Sequence, residues 1–339
     1  MKRFLSFAIM ALLLMTAVLA AGCSAAPASE VAEPSVSQEA PPDSEAADFV
    51  RPGQTCSPED ALSEEPESGW TVAINSKITH PTNITGFLNE EFGITVGFSG
   101  EMHYTADAGQ AWPQGENSSM CRFCLDIVDE NIAWAGGNGD MVRVTHDGGK
   151  SWEAVTDIAM GSAHSNIDFV DDQTGWIATL YKLEATKDGG TTWTEMTLPE
   201  GADGIAAISL RTPQDGYLLS RAGVLYTTAD GGATWSEQDL GIKDYGIIDV
   251  QKQPKLGKNN LAVADISFTD QKNGTVVFTG MSSEGGFTTV CLTTADGGAT
   301  WNEEALPDLE FSPVKVFLSG DGKYLTVASA NNQTALLTK

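Results

Sequence analysis

The groups best placed to do chemistry in this chain are carboxylates. One phrase, Thr-x-Asp-x-Gly-x-x-Trp, occurs five times, at 105–112, 145–152, 186–193, 228–235 and 294–301. It places an acid at Asp107, Asp147, Asp188, Asp230 and Asp296, and an indole further on at Trp112, Trp152, Trp193, Trp235 and Trp301. Paired carboxylates could cleave a glycoside, one as acid and the other as base or nucleophile. The company these acids keep points to a local job instead. An Asp in a tight turn accepts hydrogen bonds from backbone N–H groups further along. The Gly supplies positive φ without steric cost, and the Trp lays an apolar face over the neighbouring strands. Each phrase therefore reads as a hairpin lock between the third and fourth strands of a repeated sheet, with a structural Asp. No other acid pair stands out by position.

The remaining chemical candidates are few. Besides Cys23 there are Cys56, Cys121, Cys124 and Cys291. Cys121 and Cys124 form a CxxC without a second such pair, and His80, His103, His146 and His164 show no ligand spacing, so neither a metal site nor a cofactor is expected. A redox CxxC would open a helix in a βαβ unit, which the surrounding pattern does not offer. A local Cys121–Cys124 disulfide is the preferred reading, with Cys56–Cys291 as a second pair that would clip the N-terminal segment to the domain; free thiols are the alternative.

The elements that must position these residues emerge from a second repeat. An apolar anchor is followed, after a short polar stretch, by the start of another strand: Phe87 to Gly93, Ile127 to Ala133, Phe169 to Gly175, Leu210 to Gly216, Phe268 to Gly274 and Phe317 to Lys323. Alternating apolar residues flank each turn, as half-buried strands require. A unit of about 40 residues matches a four-stranded propeller blade. Trp70 precedes Phe87 by the same interval that separates Trp152 from Phe169 and Trp193 from Leu210. It behaves as the end of a box whose beginning is missing, while the C-terminal Leu337-Thr338-Lys339 matches Ala185-Thr186-Lys187. The two ends are complementary parts of one blade. The sequence thus predicts an all-β propeller of six four-stranded blades closed by the N-terminal strand, with seven blades as the alternative. Closure removes free sheet edges.

One interval is long: Trp235 and Phe268 stand nearly twice as far apart as the other box ends and anchors. The excess reads as an insertion between blades 4 and 5, too short for another blade. With the long loop 280–289 it should open on the face opposite the Asp-containing turns. Lys243, Tyr245, Lys252, Lys255, Lys258 and Glu284 on these loops are candidate binding residues, since function concentrates on loops over a rigid scaffold.

The N-terminus has another character. Lys2 and Arg3 precede an uncharged apolar run, Leu5 to Leu19, and small residues lead into Cys23. This is a secretory signal. Its end resembles the lipobox of bacterial lipoproteins, although Ala20 occupies the slot usual for leucine. The resemblance implies cleavage after residue 22, a lipidated Cys23 and an extracytoplasmic location at the membrane, held by the lipid anchor only. Residues 23–69 are rich in Ala, Ser, Pro and Glu, with 11 acids and one base, and read as a disordered acidic tether. The domain 70–339 follows. The formal net charge of the chain is −27, which excludes a nucleic-acid footprint and suits a cationic partner.

The five boxes resemble the Asp-boxes of sialidases, sorting-receptor propellers and photosystem II stability/assembly factors. With the phrases FVDDQTGW at 169–176 and LRTPQDGY at 210–217, the chain looks most like the last of these. That family implies a seven-bladed propeller that binds photosystem precursors through a basic surface; six blades and a strong negative charge depart from it. A sialidase would need an arginine triad. The domain has only Arg122, Arg143, Arg211 and Arg221, none in the Arg-Ile-Pro phrase of that family. The reading is a cell-envelope binding or assembly scaffold for a protein or glycan. A glycan-active enzyme and a photosystem II assembly role are the alternatives.

Overall fold

The computed structural model describes residues 68–339, apart from 81, 118–121, 139–141, 156–157, 159–162, 241–262 and 282–286. They fall within one compact unit, 63–339. Six four-stranded antiparallel sheets make up this unit. Blades 1 to 5 are consecutive meanders within 84–117, 122–155, 166–196, 205–239 and 263–304. Blade 6 takes β22 (Lys315–Leu318), β23 (Tyr324–Ala328) and β24 (Gln333–Thr338) from the C-terminus and β1 (Thr71–Lys77) from the N-terminal side.

The innermost strands are β2 (Ile84–Phe87), β6 (Arg122–Ile127), β10 (Asn166–Phe169), β14 (Ile205–Leu210), β18 (Val263–Phe268) and β22. Each touches the next, and β22 touches β2, so the ring closes. The predicted six-bladed, all-β propeller is the observed architecture.

The seam forms as expected. β1 pairs with β24 from Thr71↔Thr338 to Lys77↔Gln333. Trp70, 1% exposed, donates its indole N–H to Glu304 of blade 5 at 3.1 Å. Lys339 pairs with the same carboxylate at 2.6 Å, and its ammonium lies 4.6 Å from the indole centroid. One clasp thus joins both sequence ends of the domain to blade 5.

The anchors explain the turn repeat. Phe87, Ile127, Phe169, Leu210 and Phe268 end the inner strands opposite Gly93, Ala133, Gly175, Gly216 and Gly274. Blade 6 corrects the sequence register by one position: its hairpin runs from Leu318 to Leu325, while Phe317 faces Thr326. Its turn is held by the Ser319 hydroxyl, which donates to Asp321 at 2.7 Å.

Aromatics behind the anchors join the blades. Trp134 of blade 2 stacks on Phe169 of blade 3 at 3.8 Å, and Tyr217 of blade 4 on Phe268 of blade 5 at 3.6 Å. Trp176 of blade 3 lies so close to blade 4 that a Cβ on Gly216 would stand 2.0 Å from its ring. Aromatic pairs of this kind add about 0.5–1.5 kcal/mol each beyond area burial.

Candidate functional site

Strand direction sorts the molecule into two faces. In each blade the first-to-second and third-to-fourth turns share one end, the turn face. The second-to-third turns and the links between blades share the other, the link face.

On the turn face the five boxes have one geometry. Thr186 donates its hydroxyl to Asp188 at 2.9 Å and accepts Gly190 N–H. Asp188 accepts Thr192 N–H at 2.8 Å and the Thr192 hydroxyl at 2.6 Å. Asp107, Asp147, Asp230 and Asp296 repeat the Thr-to-Asp and backbone bonds. The second hydroxyl bond is missing only at Asp107, where Ala111 stands in the place of Ser or Thr. The boxes also dock on the first turn of their blade, as when Gly189 N–H donates to the Gln173 carbonyl at 2.9 Å. Thr234, through hydroxyl and backbone, holds the Asp230 carboxyl down at about 2, and Thr300 does the same for Asp296. These acids are held ionised by bonds within their own turns, with one oxygen of Asp107 left over, so they are turn locks. The indoles complete the lock: Trp152 and Trp193 donate to the Gly149 and Gly190 carbonyls, while Trp112 and Trp301 meet Phe87 and Phe268 edge-on. Trp235 reaches back to the Thr197 carbonyl of blade 3 at 3.2 Å.

Around the axis stand three acids that the box pattern does not reveal. Asp126 accepts Phe169 N–H of the next blade at 2.8 Å. Asp168 accepts Leu210 N–H at 3.0 Å, and Asp265 accepts Leu318 N–H in the same kind of link. Thr326 does this for Phe87 N–H, joining blade 6 to blade 1. Inner-strand N–H groups that no sheet partner reaches are thus satisfied across the blade gaps. The residues keep partial solvent contact, while protein surrounds the carboxyls. Burial pushes Asp126 and Asp265 up to about 7. Burial first, then the charge of Asp126, raises Asp168 well above the usual carboxylate range. The sequence signal is an acid set between apolar residues on an inner strand, Leu125-Asp126-Ile127 and Ile167-Asp168-Phe169.

A third cluster lies beside the seam. His80 stacks on His103 at 3.8 Å with the planes 16° apart, and meets Trp112 edge-on. His103 Nδ1 lies 3.2 Å from the Trp112 carbonyl. Burial, then the neighbouring His103, lowers His80 to about 4 against a smaller opposing pull from Glu101. Near-parallel rings do not converge their lone pairs on one ion, and no group of three metal-ligating side chains occurs among the described residues.

Of the other expected residues, Lys243, Tyr245, Lys252, Lys255, Lys258 and Glu284 lie outside the described residues, as do Cys23, Cys56 and Cys121. Cys124 is buried on β6. Cys291 is a free thiol, and Cys56, the partner expected for it, lies outside the described residues. It lies 1% exposed in the blade 5–6 core with Trp70, and burial pushes its thiol up to about 12. Arg143 is tied to Glu116 at 2.8 Å and Arg211 to Asp215, in different blades, so these two do not converge on a ligand. A shallow cleft beside Arg211 is lined by Asp270, Gln271 and Lys272.

A family model described as photosynthesis system II assembly factor YCF48 matches residues 154–247. No curated protein matches the sequence. Among solved structures, YCF48 bound to D1 peptide aligns at 16% identity and TM-score 0.49, over 82% of this chain and 96% of that one. U3-55K aligns at 9% identity and TM-score 0.52, over 80% and 98%. Inactive virginiamycin B lyase from Staphylococcus aureus with quinupristin aligns at 13% identity and TM-score 0.50, over 75% and 79%. The latter two show the shared propeller fold.

Proposed function

We infer that this chain is a binding and assembly scaffold held at the extracytoplasmic side of a bacterial membrane by an acylated Cys23, and that its ligand is a protein. The observation that carries this reading is the use made of the recurrent acids. The five box carboxylates are engaged in hydrogen bonds within their own turns, and the three axial ones bond to the backbone of the next blade. What repeats is therefore scaffold, and a rigid ring is what presents a surface for docking. The match of 154–247 to an assembly-factor model supports the same class of role, although the negative charge of this chain points to a cationic partner in place of the basic surface of that family.

Cross-linking and affinity capture from the native envelope test the reading. A specific protein partner is expected, and no turnover in a parallel screen of chromogenic glycosides. Hydrolysis by the purified propeller would replace it with the glycan-active alternative. Metabolic labelling with a fatty-acid analogue tests the anchor: label on the wild type and none on Cys23→Ala is expected, and equal label on both refutes acylation at this residue.

A further inference from the structure

Three large apolar side chains stand exposed among the described residues: Val72, Phe98 and Tyr181. Val72 lies on β1, at the outer rim of blade 6. The other two are on the link face. Phe98, 46% exposed, occupies the second-to-third turn of blade 1. Tyr181, 64% exposed, occupies the equivalent turn of blade 3. Between them, Phe123 at the start of blade 2 meets Phe98 edge-on at 6.2 Å. Blades 1 and 3 thus each expose one aromatic on this face, and the half-buried Phe123 of blade 2 adjoins the first of them. Nothing in the fold requires this. The second-to-third turn of blade 4 has Arg221-Ala222 and that of blade 6 Ala330-Asn331, and both close without an aromatic. Exposed rings over a rigid scaffold are the usual anchors of a docking surface.

The charge beside the rings indicates what they would receive. In the Phe98 turn, Glu101 accepts Ser99 N–H at 3.1 Å, and its charge reaches as far as His80. Beside Tyr181, Lys182 is already paired with Glu195 at 3.6 Å. The domain from residue 70 onward carries 35 acids against 16 bases. Cations approach such a field readily and settle on aromatic faces.

We propose that the link face of blades 1 to 3 docks a cationic segment of a protein partner, with Lys or Arg alternating with apolar residues, on Phe98, Phe123 and Tyr181. The apolar side chains pack on the rings and the cations meet Glu101 and the surrounding acidic field. This rests on the protein-binding reading and gives it an address.

The test uses the full chain and a dye-labelled alternating Lys–Leu peptide, with Glu–Leu and Lys–Ser peptides as comparisons, followed by fluorescence anisotropy. The wild type binds Lys–Leu in preference to both. The double variant Phe98→Ser, Tyr181→Ser binds it about tenfold more weakly or worse, as loss of two anchors implies, at an unchanged melting temperature. Val72→Ser binds as the wild type does. Equal binding by the double variant, or equal binding of the Glu–Leu peptide, overturns the proposal. So does a wild-type dimer that the double variant abolishes, which would assign the face to a second copy of the chain. Capture of an envelope protein equally well by the wild type and the double variant overturns this address and leaves the protein-binding reading standing; failure of the wild type to capture any refutes both.

Discussion

Asp265→Asn should make the propeller less sensitive to rising pH. The side chain accepts Leu318 N–H from blade 6, and burial holds its carboxyl at about 7, against about 3.9 in an unfolded chain. Between those values the folded state keeps a proton that the unfolded state has lost. Stability from this group is therefore complete below about pH 4 and declines as pH rises through 7. From pH 5 to pH 8 the linkage relation gives a loss of about 2.5 kcal/mol for the full shift. Solvent contact along the axis reduces this, so about 1–2 kcal/mol is the expected effect. Asparagine keeps an oxygen for Leu318 N–H and cannot ionise. Urea unfolding of both proteins at pH 5, 6, 7 and 8 gives the difference in free energy at each pH; groups away from the axis cancel in it, while Asp126 and Asp168, which the Asp265 charge raises, change in the same sense. The variant should gain on the wild type by more than about 1 kcal/mol across the range. Parallel curves would show that the carboxyl is ionised throughout, and would remove the argument that burial governs the axial acids.

His80→Phe should act in the opposite sense. Its folded value of about 4 lies below the ordinary 6.5, so the wild type loses stability as pH falls from 6.5 to 4, and the phenylalanine variant should not; melting temperatures at pH 7 and pH 5 compare them. Gly216→Ala puts a methyl 2.0 Å from the Trp176 ring and should cost about 1–3 kcal/mol in denaturant unfolding, the usual effect of overpacking; a neutral result would mean that the blade 3–4 gap is loose. Trp70→Ala removes the indole from beneath the seam and should cost about 3–5 kcal/mol. Early proteolytic release of β1 would be its signature, and wild-type resistance would show that the clasp does not hold the ring closed.

The fold was legible because each blade repeats its own local chemistry. Thr186, Asp188 and Gly190 satisfy one another within a single turn, so spacing alone reveals them. The seam was legible for the same reason, since Trp70 keeps the interval of a box end. Blade 6 lacks a box to fix its phase, and its turn at Ser319 moved the anchor from Phe317 to Leu318. The correct anchor restores, after Trp301, the same interval that follows Trp152 and Trp193. The axial acids were not legible. Asp126 and Asp168 look like outward residues of half-buried strands, and only the docking of one blade on the next shows that their partners are Phe169 and Leu210. Contacts between blades leave no periodic trace in a single chain. The same limit hid His80, which precedes blade 1 and stacks on His103 from that blade's third strand.

The two faces also differ in what a substitution would cost, and this bears on where recognition can reside. On the turn face, the Asp and Thr of each box hold backbone N–H groups that are part of the hairpin itself. Changing one breaks several bonds of the fold. Rings such as Trp193 are equally committed, to Gly190 and Phe169. On the link face Phe98 and Tyr181 project from turns whose backbone bonds, Gly97 to Glu101 and Thr179 to Lys182, do not involve the rings. Those side chains can change without disturbing the blade. Selection for a partner can therefore act on the link face with little penalty in stability, while the turn face is fixed by folding. Five near-identical boxes and three unevenly placed aromatics are what that division of labour would leave in one sequence.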